Sequence, residues 1–469
     1  MFVSRTEELA ALNRLYRKNT FQMAVVYGRR RVGKTTLIRE FIKDKQNIFF
    51  AAQQANEYLN LQLFSESVYS FFGLPKSTGA FGNWHDAFSF IAEKVKEERF
   101  ILVIDEFPYL AEQNKSIRSI LQNIIDHIMK DTALFLIICG SQISFMESQV
   151  LGYKSPLFGR RTAQFKIEGF DYIDAAKMLA GVSSEDKIKY YTCIGGTPHY
   201  LNQIDPLTPF EENIQDLYFE PQGYMFSEPH MLLQQEIREP AMYNSIIAAV
   251  ATGASRLNDI STKINEDTAK TSKYIKTLLD LKILRRDVPF GENPERSRRS
   301  LYKIADNCYR FWYKFVFMNH AGIETGTGRI IAENTVFPAL PSFIGAPAFE
   351  EICLQYIIHR NKEGKLPFLA TAFGTWWGTD DRKRQPADID AIADNKQQGM
   401  ALLCECKWRN EATDVTEIQK LLKKSYLLPG YREYYFMFFS KAPFSESALC
   451  LAKEYKNLRL ITMEMMLEE

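Results

Sequence analysis

Apolar and polar positions change rhythm several times along this chain. In its N-terminal part, "FQMAVVYG", "NIFFAAQ", "FILVIDEFPYL", "ALFLIICGSQ" and "AQFKIEGF" are short, nearly continuous apolar runs, the pattern of strands buried on both faces. Amphipathic stretches such as "LIREFIKD" lie between them. Strands alternating with helices predict an α/β fold whose parallel sheet is wound on both faces, with a ligand site at the carboxyl ends of the strands. After Pro240 the rhythm becomes helical. The stretch from "AMYNSIIAAV" to "ILRRDVPF" fits three amphipathic helices, the third marked by Ile275, Leu278, Leu279 and Leu281. "NCYRFWYKFVFMNH" is the most aromatic stretch. From about Gly345, the helix "GAPAFEEICLQYIIHR" precedes "FLATAFGTWWGTDDRKRQPADIDAIADN", the strand "MALLCECKW" and two further apolar strands, "YYFMFFSK" and "LRLITMEMM".

At 469 residues the chain is too long for one ordinary core. A hydrophobic content of 46% and a charged content of 25% match a soluble globular protein rather than a disordered one. The net charge of +1 gives no global attraction to nucleic acid, so such a partner needs a local patch. The start "MFVSRTEELAAL" lacks the pattern of an export signal, no apolar run reaches membrane-spanning length, and the seven cysteines are an odd number. These features predict reduced thiols in the cytoplasm and no membrane partner.

The loop after the first strand, "GRRRVGKTT", fits G-x-x-x-x-G-K-[ST] without mismatch. Gly28, Arg29, Arg30, Arg31, Val32, Gly33, Lys34, Thr35 and Thr36 are therefore expected to wrap the phosphates of a nucleoside triphosphate with successive N–H groups. Lys34 adds a charge to those phosphates, and the Thr35 hydroxyl ligates Mg²⁺. The third strand ends in Asp105 and Glu106, which suit a Mg²⁺-holding carboxylate and a water-activating one. An ordinary acidic pair at a helix N-terminus is the competing explanation. Ser141 ends the fourth strand, where a polar group can sense the γ-phosphate. In "SPLFGRRTAQF", Arg160 and Arg161 either supply charge to a γ-phosphate, their own or a neighbouring subunit's, or form a structural basic pair.

Together "GRRRVGKTT", "VIDEF", "CGSQ", "SPLFGRRT" and "GGTPHYL" resemble the AAA-like P-loop ATPases, more narrowly the archaeal-type group related to signalling ATPases. The resemblance covers roughly the first half of the chain and implies ATP and Mg²⁺ as cofactors. That group opens with F-x-G-R-E-x-E-L. Here "FVSRTEEL" keeps Phe2, Arg5, Glu8 and Leu9 and substitutes Ser4 and Thr6. In related signalling ATPases a G-x-P module closes the nucleotide site from a helical lid. Gly196 and Pro198 match it, and a plain turn is the alternative.

The three helices after Pro240, followed by "GENPERSRRS" and "LYKIAD", have the pattern of a winged helix-turn-helix. Lys270, Lys273 and Lys276 on the third helix, with Arg285, Arg286, Arg296, Arg298 and Arg299 on the hairpin, would form a local positive surface for DNA. A packing module with solvated lysines is the alternative. The aromatic stretch reads as an interdomain helix rather than a base-stacking strip.

In the last part, residues two apart share a strand face, so Asp388 pairs in phase with Asp390 and Glu405 with Lys407. Cys404, Cys406 and Trp408 take the other face. Lacking a second ligand pair nearby, the two cysteines read as packing residues. Two carboxylates and an ammonium suit a divalent cation acting on a phosphodiester; a surface salt bridge would look the same in isolation. This stretch resembles the PD-(D/E)xK restriction-endonuclease-like fold, in particular the domain that follows archaeal-type ATPases of the kind named above, where "ECKW" recurs. The resemblance implies that Asp390, Glu405 and Lys407 form the site, Glu350 joins the metal, and Asp388 can substitute for Asp390. This fold also occurs as an inactive interaction module.

The expected architecture is a P-loop NTPase core at 1–168, a helical lid at 169–240, a winged helix at 241–305, an aromatic linker at 306–344 and a nuclease-like α/β domain at 345–469. The expected function is an ATPase coupling nucleotide state to nucleic-acid binding and to metal-dependent cleavage. The alternative is a non-cleaving switch that assembles with itself or with a protein partner.

Overall fold

The five N-terminal apolar runs form the strands β1 (Gln22–Tyr27), β2 (Asn47–Ala51), β3 (Phe100–Asp105), β4 (Leu134–Gly140) and β5 (Ala163–Lys166). They pair in the order β2-β3-β4-β1-β5, and every pair is parallel. The reason is visible in β1, β3 and β4, which are buried along their whole length. Alternate residues enter two different cores: Met23, Val25, Leu102 and Ile104 on one face, Ala24, Val26, Ile101 and Val103 on the other. Each fully buried aliphatic side chain contributes roughly 2 kcal/mol. The computed structural model describes residues 2–75, 79–95, 98–237 and 239–468.

The chain divides into two units, Met1–Gly169 with Thr197–His199, and Phe170–Gly196 with Tyr200–Glu469. In the first, Arg99 ties the strand entries together, donating to the carbonyls of Leu15, Tyr16, Thr20 and Ala133 at 2.7–2.9 Å. In the second, helices Pro240–Ala251, Leu257–Ile264 and Thr268–Asp280 precede an antiparallel hairpin, β6 (Leu284–Asp287) and β7 (Leu301–Ile304). The aromatic stretch is a buried helical segment in which Tyr309, Phe311, Trp312, Tyr313 and Phe315 join the main core.

The C-terminal sheet adds β8 (Ala372–Asp380), β9 (Gln385–Asn395), β10 (Met400–Lys407), β11 (Glu433–Ser440) and β12 (Leu458–Thr462), in the order β12-β11-β10-β9-β8. It is mixed: β8, β9 and β10 pair antiparallel, whereas β10, β11 and β12 pair parallel. "MALLCECKW" is thus the central strand. One face, with Leu402, Cys404, Cys406 and Phe439, joins the core that includes helix Glu350–Lys362. The other, with Leu403 and Phe438, packs on helices Val415–Leu422 and Glu446–Glu454. At the edge, β8 bulges between Gly374 and Trp376, and the Thr375 carbonyl there accepts from the Phe290 N–H of the hairpin loop at 2.8 Å. Among the described residues, no helix is long and apolar enough to cross a membrane.

Candidate functional site

The register aligns Tyr27 with Gly140, which brings the carboxyl ends of the central strands to one edge. There the chain turns at Gly28, φ +154°, where a Cβ would lie 2.0 Å from the Ile167 carbonyl oxygen; only glycine passes. Gly33, φ +92°, opens helix Lys34–Ile42, and Pro198 stands within 3.9 Å of where its Cβ would be. Lys34 folds back over the loop, its Nζ donating to the carbonyls of Gly28 at 2.9 Å and Arg29 at 2.8 Å. It is 6% exposed, and burial lowers its pKa. The ammonium is thus held by two carbonyls of the loop.

Thr35 Oγ1 donates to Asp105 Oδ2 at 2.9 Å. Glu106 adopts φ +49°, ψ 45°, a left-handed conformation costing a non-glycine residue about 1–2 kcal/mol. That turn aims its Oε2 at Ser141, whose backbone N–H donates at 3.2 Å and whose hydroxyl donates at 2.9 Å. Arg30 donates to the Tyr109 hydroxyl at 2.6 Å. Arg160 is committed elsewhere, gripping Asp126 through Nε at 2.8 Å and Nη2 at 2.6 Å, and Arg161 donates to the Leu151 carbonyl at 3.3 Å. The Arg160 bond holds the Asp126 carboxyl below its usual range.

The second cluster is built by β9, β10 and the helix beginning at Glu350. The β9–β10 ladder ends with Cys404 opposite Ala391, and Asp390 and Glu405 are the next residues of their two strands. Asp390 is 8% exposed and its Oδ2 accepts from the Cys406 N–H at 2.7 Å, whereas Asp388 is exposed. Glu405 lies between two lysines: Oε1 accepts from Lys407 at 2.5 Å and Oε2 from Lys424 at 2.6 Å. Burial pushes the Glu405 carboxyl up, but Lys424 and Lys407 outweigh it and hold it low. Asp390 is pushed up, first by burial and then by the Glu405 charge. Among the described residues, no group of three or more His, Cys, Asp or Glu side chains stands together as a metal-holding set.

Burial, then Asp390, raises Glu350 from an ordinary 4.5 to about 7. The folded chain therefore binds more protons than the unfolded one between those values. The stability Glu350 contributes is complete below pH 4.5 and is lost as pH rises through about 7. Calorimetric melting is expected to show a midpoint falling across that window, with a shallower slope in Glu350→Gln. An identical slope in the variant would clear Glu350 as a source.

A family model described as an ATPase domain predominantly from Archaea matches residues 2–204, and one described as archaeal and bacterial proteins of unknown function matches 312–418. An uncharacterized protein of Methanocaldococcus jannaschii is 31% identical over 455 residues, covering 96% of this chain and 98% of its own. The chain belongs to the archaeal-type P-loop ATPases. An uncharacterized ATP-binding protein of the same organism is 50% identical over 46 residues, 10% of this chain and 78% of its own. Among solved structures, the Walker-type ATPase of Pyrococcus abyssi gives a TM-score of 0.48 at 17% identity, covering 67% of this chain and 96% of that one. The ORC2 protein of Aeropyrum pernix gives 0.42 at 12%, covering 69% and 95%.

Several groups in this ATPase escape a reading of the sequence. Arg5, already noted in the opening motif, has an unforeseen part: it donates to the carbonyls of Val32, at 3.3 Å, and Glu168, bracing the loop after β1. Cys139 is buried beside Asp105, and burial with that carboxylate pushes its thiol up. Lys424 follows an amphipathic helix, and its only signal is the basic doublet in "KLLKKSY". The hairpin surface is also less positive than its composition implies. Arg285 is held by Glu351 and Asp287, Arg299 by Glu292 and Lys270 by Glu266. Lys273, Lys276, Arg286, Arg296 and Arg298 are exposed.

Proposed function

We propose that this ATPase uses the state of its nucleotide to control how its C-terminal part engages nucleic acid. The observation that carries the first half is the arrangement at the strand ends, where Lys34 covers the loop, Thr35 meets Asp105, and Ser141 holds Glu106. Lys34 would bind the phosphates, and Glu106 would orient the attacking water and accept its proton, with Ser141 fixing the carboxylate. The Thr35 hydroxyl and the Asp105 carboxylate are hard oxygen donors and fit Mg²⁺. When bound, that ion supplies neutralisation of the β- and γ-phosphate charge. Pro198 beside Gly33 fits the G-x-P closing role.

Two features support the nucleic-acid half. Three helices followed by a hairpin agree with a winged helix, with the exposed Lys273, Lys276, Arg286, Arg296 and Arg298 in its contact surface. Asp390, Glu405 and Lys407 on adjoining strands, with Glu350 nearby, agree with a PD-(D/E)xK arrangement. The seven free thiols suit a reducing compartment.

A divalent cation fits the donor type at that second cluster but not its present grouping, because both Glu405 oxygens are engaged by lysines. That double pairing favours a second reading, in which the C-terminal sheet is a binding platform that cuts nothing.

The test is cleavage of DNA by the purified chain with Mn²⁺, with and without ATP, beside Lys407→Ala. Cleavage that falls by about 100-fold or more in the variant would establish a nuclease. Intact DNA in every lane, from protein that still hydrolyses ATP, would establish the platform.

A further inference from the structure

Within the unit Phe170–Gly196 with Tyr200–Glu469, a cavity of 790 Å³ lies among the end of helix Pro240–Ala251, strand β7, the aromatic segment and the start of helix Glu350–Lys362. Arg310 lines it. This side chain is only 7% exposed, and its Nε, Nη1 and Nη2 have no hydrogen-bond partner among the described residues. Burial lowers the Arg310 pKa, yet a guanidinium stays protonated across the physiological range. Leaving a buried charged fork of donors unanswered is costly, so such groups are normally paired.

The surroundings offer little neutralisation. The Arg310 guanidinium carbon lies 4.9 Å from the centre of the Phe343 ring, and Lys314 Nζ lies 5.2 Å from the same ring and 5.5 Å from that of Phe315. Two cations thus share one aromatic ring. Glu351, the acid with most influence on Arg310, is engaged by Arg285. The charged residues lining the cavity are Lys303, Arg310, Lys314 and Glu350, three cations to one acid, with Lys303 paired to Asp287 at 3.1 Å.

We propose that this cavity binds a small organic phosphate, its dianionic head on Arg310 and Lys314 and its apolar or aromatic body along Phe315, Phe343 and Tyr302. Two neighbouring cations suit a dianion better than a single carboxylate, and the planar guanidinium fork matches phosphate oxygens. Arg310 is too deeply set for the backbone of a duplex to reach, which selects a small molecule over nucleic acid.

The test is calorimetric titration of full-length Lys34→Ala protein, whose phosphate loop competes only weakly, with phenyl phosphate, AMP, inorganic phosphate and adenosine. Phenyl phosphate or AMP is expected to bind and adenosine to give no heat. Arg310→Gln should weaken the bound probe by about tenfold or more and Lys314→Gln by about threefold or more. Lys314 is only half-buried, so its variant decides the matter if Arg310→Gln fails to fold. Full affinity in the variants, or no binding by any phosphorylated probe, would overturn the proposal.

Discussion

Glu106→Gln is expected to bind ATP as tightly as the natural chain while hydrolysing it about 10²–10⁴-fold more slowly. The amide keeps the size of the carboxylate and can still accept from the Ser141 hydroxyl, so the loop and its nucleotide contacts stay in place. What it loses is the basic oxygen for the water proton. Single-turnover hydrolysis beside equilibrium binding of a fluorescent ATP analogue separates the two effects. Turnover at the natural rate would remove Glu106 from the reaction. A parallel loss of binding would mean that the strained turn at φ +49° collapsed rather than that a base was removed.

Lys34→Ala should act at the earlier step, with ATP affinity down by about 100-fold and no measurable turnover at millimolar ATP. Its ammonium is buried on the Gly28 and Arg29 carbonyls. Removing it deletes a charge-assisted contact to phosphate and leaves two carbonyl oxygens at the loop centre without their donor. Affinity by calorimetry checks this, and a change below about threefold would contradict the role assigned to the loop. Together the two variants separate holding the nucleotide from consuming it.

What could be read in advance followed from locality. The stretch "GRRRVGKTT" is nine consecutive residues running from the end of a strand into the first turn of a helix, and its shape depends on backbone turns that glycine positions announce. The strands of the first sheet were legible because parallel strands buried on both faces are apolar throughout. The grip of Ser141 on Glu106 was not, because it depends on a positive φ at a non-glycine residue that no pattern marks. The "ECK" string was visible, but Lys424, which takes the other oxygen of Glu405, arrives 17 positions beyond Lys407 in a short turn of helix. Composition counted Arg285 as surface charge; folding places it against Glu351 from a distant helix. Arg310, read as part of an aromatic packing helix, showed no sign of its orphaned donors. Those depend on which acids the fold brings near and how they are already used.

Under the proposed function, the hairpin loop resting on β8 would link two jobs that the sequence presents as separate. β8 is the outer strand of the C-terminal sheet, and the Phe290 N–H occupies a carbonyl at its bulge. An outer strand without cover is a template for any passing backbone. A wing that swung away to enter a DNA groove would uncover that border and leave it available to another protein or a second copy of the chain. Reading DNA and recruiting a neighbour would then be two results of one displacement.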